Sequence, residues 1–96
     1  MSSPRPSTAV YVISVAATLV GSHPQTLRAY ERLGLVSPLR RQGGSRLYSE
    51  ADIVLLRRIT QLSAEGVSLP GIIKIFALER EIRRLEGEIE RLRSRP

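Results

Sequence analysis

A helix stop and a helix start fall within four residues, Gly21-Ser22-His23-Pro24. Ser14 is positioned to cap a short helix over residues 15–20, and Gly21 ends it. A second helix then starts at once. Ser22 and Gln25 have capping-box spacing, with His23 as the alternative cap, and Pro24 suits a first turn because its missing N–H is not needed there. Leu27, Tyr30 and Leu33 form one apolar stripe on this second helix, and Gly34 closes it. Two short helices separated by one tight turn are a helix-turn-helix pattern, which dictates most of what the rest of the chain must cover.

The flanking segments supply that cover. Residues 1–8 read as a Ser/Pro-rich arm, and Ala9–Ile13 is a short β-like run. Pro38 blocks helix and Gly43-Gly44 marks a reversal, with Arg40-Arg41 before it and Arg46-Leu47-Tyr48 after it. This reads as a basic β-hairpin, with an irregular solvated loop as the alternative. Ser49 caps a third helix whose first turn carries Glu50 and Asp52 and whose buried face is Ile53, Leu56, Ile59 and Leu62. Gly66 stops it. Ser68 caps a fourth helix with Pro70 in its first turn and Ile72, Ile75 and Phe76 as apolar anchors.

The last segment is read as a distinct element. Leu78, Ile82, Leu85, Ile89 and Leu92 alternate in steps of four and three, the spacing of a coiled-coil seam, among Glu and Arg neighbours. A helix of about 15 residues with so narrow a stripe is marginal alone in water. It therefore pairs with a second copy or folds back on its own domain, and pairing fits the stripe better. Gly87 falls on the outer face. The flanking charges favour neither strand direction: a parallel pair sets Glu81 against Glu86 but Glu88 against Arg93, and an antiparallel pair sets Glu79 near Arg93 but Glu81 near Glu88.

Charge is unevenly spread over the 96 residues, which carry a net +6. Residues 1–48 hold six basic groups and one acid, Glu31; residues 49–96 hold nine basic and eight acidic groups. Fourteen of the fifteen basic residues are Arg, the type suited to bidentate contact with phosphate and guanine. A polyanion partner explains this asymmetry; a solubilising surface is the plainer reading. An enzyme lacks its parts. There is one His and no Cys, and the basic half has a single acid, so no carboxylate pair, thiol nucleophile or zinc–thiolate site can form there. No metal site and no cofactor are expected, because His23 has no partner ligands. No apolar run reaches the roughly 18 residues of a membrane span, and the N-terminus lacks an apolar signal core, so a cytoplasmic protein with no membrane partner is expected.

With Leu27, Tyr30 and Leu33 inward, the second helix turns Gln25, Thr26, Arg28, Ala29 and Arg32 outward. Gln25 and Arg28 can pair with base edges or phosphates, and Thr26 can touch a phosphate or a thymine methyl. His23 caps or contacts a phosphate. Arg40, Arg41 and Arg46 offer the hairpin to the adjacent backbone or minor groove, and Tyr48 packs or bonds a phosphate.

The segments Thr26-Leu27-Arg28-Ala29-Tyr30-Glu31-Arg32-Leu33-Gly34-Leu35-Val36-Ser37-Pro38, Arg46-Leu47-Tyr48-Ser49-Glu50-Ala51-Asp52-Ile53 and Gly66-Val67-Ser68-Leu69-Pro70-Gly71-Ile72 resemble the MerR family of bacterial transcription regulators. Val10–Ala17, His23–Arg28, Leu62-Ser63 and Glu65-Gly66 resemble its heat-shock repressor (HspR) subtype. The resemblance covers residues 10–80. It implies a mainly α fold, a winged helix-turn-helix with a small β-hairpin wing and a C-terminal dimerisation coiled-coil helix, antiparallel in the dimer. It further implies double-stranded DNA with an inverted-repeat operator as partner, repression of chaperone operons, and a DnaK-type chaperone as co-repressor. By the family motif, the recognition helix is residues 24–33 and the wing residues 39–48, and phosphate-contacting roles fall on Thr26, Arg28, Tyr30 and Arg46. For Tyr30 this means a packed ring with a hydroxyl reaching the DNA backbone.

Three departures stand out. Leu47 replaces a second basic residue of the wing, which alters the expected operator preference. The seam is short and the sequence stops at Pro96 without the longer tail of these repressors, which weighs against chaperone co-repression. No Cys or ligand domain follows, so metal or drug sensing is not expected. The reading is therefore an arm (1–8), a winged helix-turn-helix domain (9–77) and a dimerisation helix (78–96) of a homodimeric repressor. An excisionase-like DNA-bending factor and a coiled-coil adaptor are the alternatives.

Overall fold

The computed structural model describes residues 8–96. Apart from Thr8, the N-terminal arm lies outside the described residues. The element order is β1 (Ala9–Val12), α1 (Ile13–Val20), α2 (Pro24–Arg32), β2 (Leu39–Arg40), β3 (Arg46–Ser49), α3 (Glu50–Ala64) and α4 (Leu69–Arg93). The fold is mainly helical with a small antiparallel sheet in the order β1-β3-β2.

The two-helix pattern forms around Gly21. Its backbone is left-handed, at φ 71°, and its N–H closes onto Ala17 and Thr18 carbonyls. Ser22 N–H follows onto Ala17 O at 2.9 Å, so the last carbonyls of α1 are satisfied before α2 begins. The caps differ from expectation. Helix α1 starts one residue before Ser14, with Val12 in the capping position and no side-chain cap bond. For α2 the second alternative holds: His23 takes the cap position, by its extended backbone and without a side-chain bond, and no Ser22–Gln25 box forms. Strand β1 pairs directly with β3 and runs straight into α1, so strand pairing sets the start of α1 and a side-chain cap is not needed.

The wing is a hairpin. Leu39 pairs with Leu47 and Arg40 with Arg46. Its tip closes through Arg41 N–H to Ser45 O at 2.8 Å and Gly44 N–H to Arg41 O at 2.9 Å. Gly43 and Gly44 both lie at φ 91°, a backbone region that side chains with a Cβ rarely enter. Strand β3 then delivers Ser49 as the cap of α3. Ser49 Oγ accepts from Asp52 N–H at 3.0 Å and Asp52 Oδ2 accepts from Ser49 N–H at 2.9 Å, a reciprocal pair. The Tyr11 hydroxyl donates to Glu50, tying β1 to the same helix start.

The core gathers Ala16, Ala17 and Val20 of α1, Leu27 and Tyr30 of α2, Leu35 and Val36 of the segment after it, Tyr48 of β3, Ile53, Leu56 and Ile59 of α3, and Ile72 and Phe76 of α4. Leu27, Tyr48, Leu56, Ile59 and Ile72 are its largest fully enclosed side chains. Leu62 and Ile75 are half-buried at its edge. Leu33 departs from the expected stripe: it is 46% exposed, because α2 ends at Arg32 and the chain turns away before a third inward position is reached.

The fourth helix and the terminal seam, read from sequence as two elements, are one helix of 25 residues capped by Ser68 Oγ accepting from Gly71 N–H. Its first half is anchored to α3 by Arg58, which bonds Glu79 through both terminal nitrogens and lies 5.3 Å over the Phe76 ring.

Candidate nucleic-acid interface

Helix α2 and the wing meet at a single carboxylate. Glu31 Oε2 accepts from Arg40 Nη2 at 3.1 Å and Glu31 Oε1 from Arg46 Nε at 2.5 Å. Arg40 is held a second time, with Nη1 donating to Gly44 O at 3.0 Å. One helix residue thus fixes both strands of the hairpin at paired positions. Burial pushes the Glu31 carboxyl up, but hydrogen bonds and charge from Arg46 and Arg40 outweigh it and hold the group below the usual carboxylate range.

Around this joint lie most of the residues expected to read DNA. Gln25 and Arg32 are exposed, and Thr26 and Arg28 half-buried. Arg28 Nη1 donates to Gln25 Oε1 at 2.9 Å, so the two side chains are presented as a pair on the outer face of α2. His23 is exposed at the start of the helix. In the wing, Arg40 and Arg41 are exposed while Arg46 is half-buried against Glu31. Such a surface offers guanidinium and amide donors that match phosphate oxygens and base edges.

Two of the aromatic residues are enclosed in the core. Tyr30 is 7% exposed, its ring packed in the core. Tyr48 is 0% exposed, which corrects the expectation that it bonds a phosphate. Tyr48 packs in the core, where β3 lies against α1 and α3. Among the described residues its hydroxyl has no hydrogen-bond partner. Burial raises its pKa, with smaller effects from the charges of Arg46, Glu31, Asp52 and Arg28.

Glu31 is the residue that sequence reasoning left without a role. It was visible as the lone acid among the first 48 residues, but its partners lie 9 and 15 positions away and only the folded hairpin brings them together.

The seam residues are brought to one exposed stripe of α4. Leu78, Ile82, Leu85, Ile89 and Leu92 are 64, 54, 45, 49 and 50% exposed. Between them Arg84 pairs with Glu81 at 2.7 Å and Arg91 with Glu88, both three positions apart along the helix. Among the described residues no cluster of three His, Cys, Asp or Glu could hold a metal, and no helix is long and apolar enough to cross a membrane.

Comparison with known proteins agrees with this architecture. Over 86 residues the chain is 56% identical to a Streptomyces coelicolor protein bearing the name heat shock protein HspR, covering 88% of this chain and 57% of that protein. It is 34% identical over 80 residues to the HTH-type transcriptional repressor CarH of Myxococcus xanthus, covering 82% of this chain and 26% of that one. The chain thus spans little more than half of the first relative's length and about a quarter of the second's. The crystal structure of a MerR family transcriptional regulator from Bacillus cereus superposes with a TM-score of 0.65 at 28% identity, covering 85% of this chain and 66% of that one. The Myxococcus xanthus protein is named a transcriptional repressor and the Bacillus cereus protein a transcriptional regulator. Residues 11–79 match the model of the MerR HTH family regulatory proteins, with the hairpin and its Glu31 joint inside the matched span, and the chain belongs to that family.

Proposed function

We propose that this chain is a homodimeric, sequence-specific DNA-binding regulator that represses heat-shock and chaperone genes from an inverted-repeat operator. The observation that carries the reading is the joining of α2 to an arginine-bearing hairpin through Glu31, which offers one basic surface from two elements. The heat-shock part rests on the likeness to the HspR protein. Residues 9–77 read the duplex. Gln25 and Arg28 face base edges, while Thr26, Arg32, Arg40, Arg41 and Arg46 face the phosphates, with His23 at the helix start. Residues 78–96 pair two copies through Leu78, Ile82, Leu85, Ile89 and Leu92, and so set the distance between half-sites. A regulator of this kind acts on the chromosome, in the bacterial cytoplasm; a DnaK-type chaperone is the co-repressor that the HspR likeness suggests, against the shortness of the seam.

The test is binding to duplexes taken from upstream of chaperone operons, measured against salt. Affinity should fall steeply with salt as arginines displace counterions. Arg28→Ala should weaken binding by about 1–3 kcal/mol and relax preference at one base position. Arg46→Ala should weaken all sequences alike and flatten the salt slope by about 1. Added chaperone should tighten the complex. Footprints at recombination sites instead of promoters would replace the repressor by a DNA-bending factor. No retention on any duplex would remove DNA from the account.

A further inference from the structure

The wing arginines are not equivalent. Arg46 is the more enclosed, with a side chain 20% exposed, and among the described residues it bonds through Nε to Glu31 alone. Arg40 is 49% exposed and shares its guanidinium between Glu31 and the wing's own turn. Arg41 is exposed, and its backbone N–H closes the tip. A carboxylate and a phosphate offer a guanidinium the same pair of acceptor oxygens. Glu31 therefore occupies, in the free protein, donors that would otherwise take any phosphate within reach.

We infer that Glu31 is a specificity-setting residue: its carboxylate holds Arg40 and Arg46 to the recognition helix, so that the wing meets DNA only in the register that α2 dictates. This rests on the DNA-binding reading above and deepens it. Two consequences oppose each other when the charge is removed. Phosphate attraction rises, because a negative charge leaves a basic surface and two guanidinium groups are released. Discrimination falls, because phosphate contacts made by a loosened wing no longer depend on where α2 sits. A residue that only stabilised the fold would lower affinity for all DNA and leave the salt slope where it was.

The experiment uses the full chain with two probes: a duplex enriched by the wild type from a randomised pool, and the unselected pool itself. Glu31→Gln should bind the unselected pool more tightly than wild type, with a salt slope steeper by about 1. The ratio of affinities for the two probes should fall by about fivefold or more, the scale of one mismatched base pair. Without DNA, the amide of Gly44, which bonds Arg41, should lose exchange protection in the variant. Glu31→Asp keeps the charge but shortens the reach; it should lower the ratio at a wild-type slope, and it carries the test should Glu31→Gln fail to fold. A wild type that enriches a duplex while the variants keep its ratio and slope overturns the role of Glu31 and leaves the DNA reading standing. A wild type that enriches nothing and ignores the pool overturns both.

Discussion

Ile72 and Ile82 lie on the same helix ten residues apart, yet the first is 0% exposed and the second 54%. Up to Phe76, α4 is part of a core that also draws on α1, α2, α3 and the strand residue Tyr48. Beyond it Arg58 still reaches Glu79, but the same kinds of apolar side chain stand exposed. An apolar stripe is satisfied in the first region by sequence-distant parts of one chain. In the second it stays exposed, and the Glu–Arg pairs on its flanks contribute little in water. The contrast assigns different work to similar residues: Ile72 contributes to folding, whereas Ile82 is free to contribute to association.

The contrast can be broken by moving the damage from one region to the other. Replacing Ile82 and Ile89 together with Asp should give a monomer by sedimentation while leaving the melting of the winged region close to wild type. Its affinity for a two-half-site duplex should drop by about 10²–10⁴, the gain that linkage of two binding units supplies. Dimers that persist would show that the stripe serves something else. Leu56→Ala should do the reverse. Deleting a side chain that is 0% exposed should cost about 2–5 kcal/mol in denaturant unfolding, with any surviving folded protein still dimeric.

Smaller changes sharpen the comparison inside the winged region. Tyr48→Phe removes a hydroxyl that is enclosed and without a partner, so stability should stay level or rise by about 1 kcal/mol in chemical denaturation. A loss larger than that would mean the hydroxyl is bonded in solution. The mildest effect concerns acid. The Glu31 carboxyl titrates below its unfolded value, so its contribution to wing order is complete above the ordinary carboxylate range and is lost as pH falls through the lower, folded value. Exchange protection at the wing tip should therefore hold at pH 6 and above, and disappear in acid before the core unfolds. Protection that tracks core unfolding would uncouple the tip from Glu31.

Much of this was legible because local chemistry and fold agree. Ser49, three residues before Asp52, announces the start of α3, and Gly43-Gly44 announces the wing tip. The 4-3 spacing after Leu78 marks the stripe that the structure leaves exposed. What was not legible depends on pairing across the sequence. Ser14 lost its capping role because β1 pairs with β3, some 35 residues on, and leads directly into the helix. Leu33 fits the periodicity of α2 but lies past the end of the helix, and Tyr48 carries a polar group that suggested solvent but is enclosed in the core. Of the candidate site, the outward positions Gln25, Arg28 and Arg32 follow from the helix period alone. The clamp by Glu31 does not, since nothing local connects it to Arg40 or Arg46.

The unbroken run of α4 has a mechanical consequence. Twenty-five helical residues make a strut about 37 Å long, whose root is wedged in the core at Ile72 and Phe76. No hinge separates the root from the tip, so the orientation of the tip is inherited from the root. One residue inserted between Ala77 and Leu78 would lengthen the strut by about 1.5 Å and swing its outer stripe by about 100°. Two joined copies would then address different sides of the double helix, and binding would recover only on sites respaced to match.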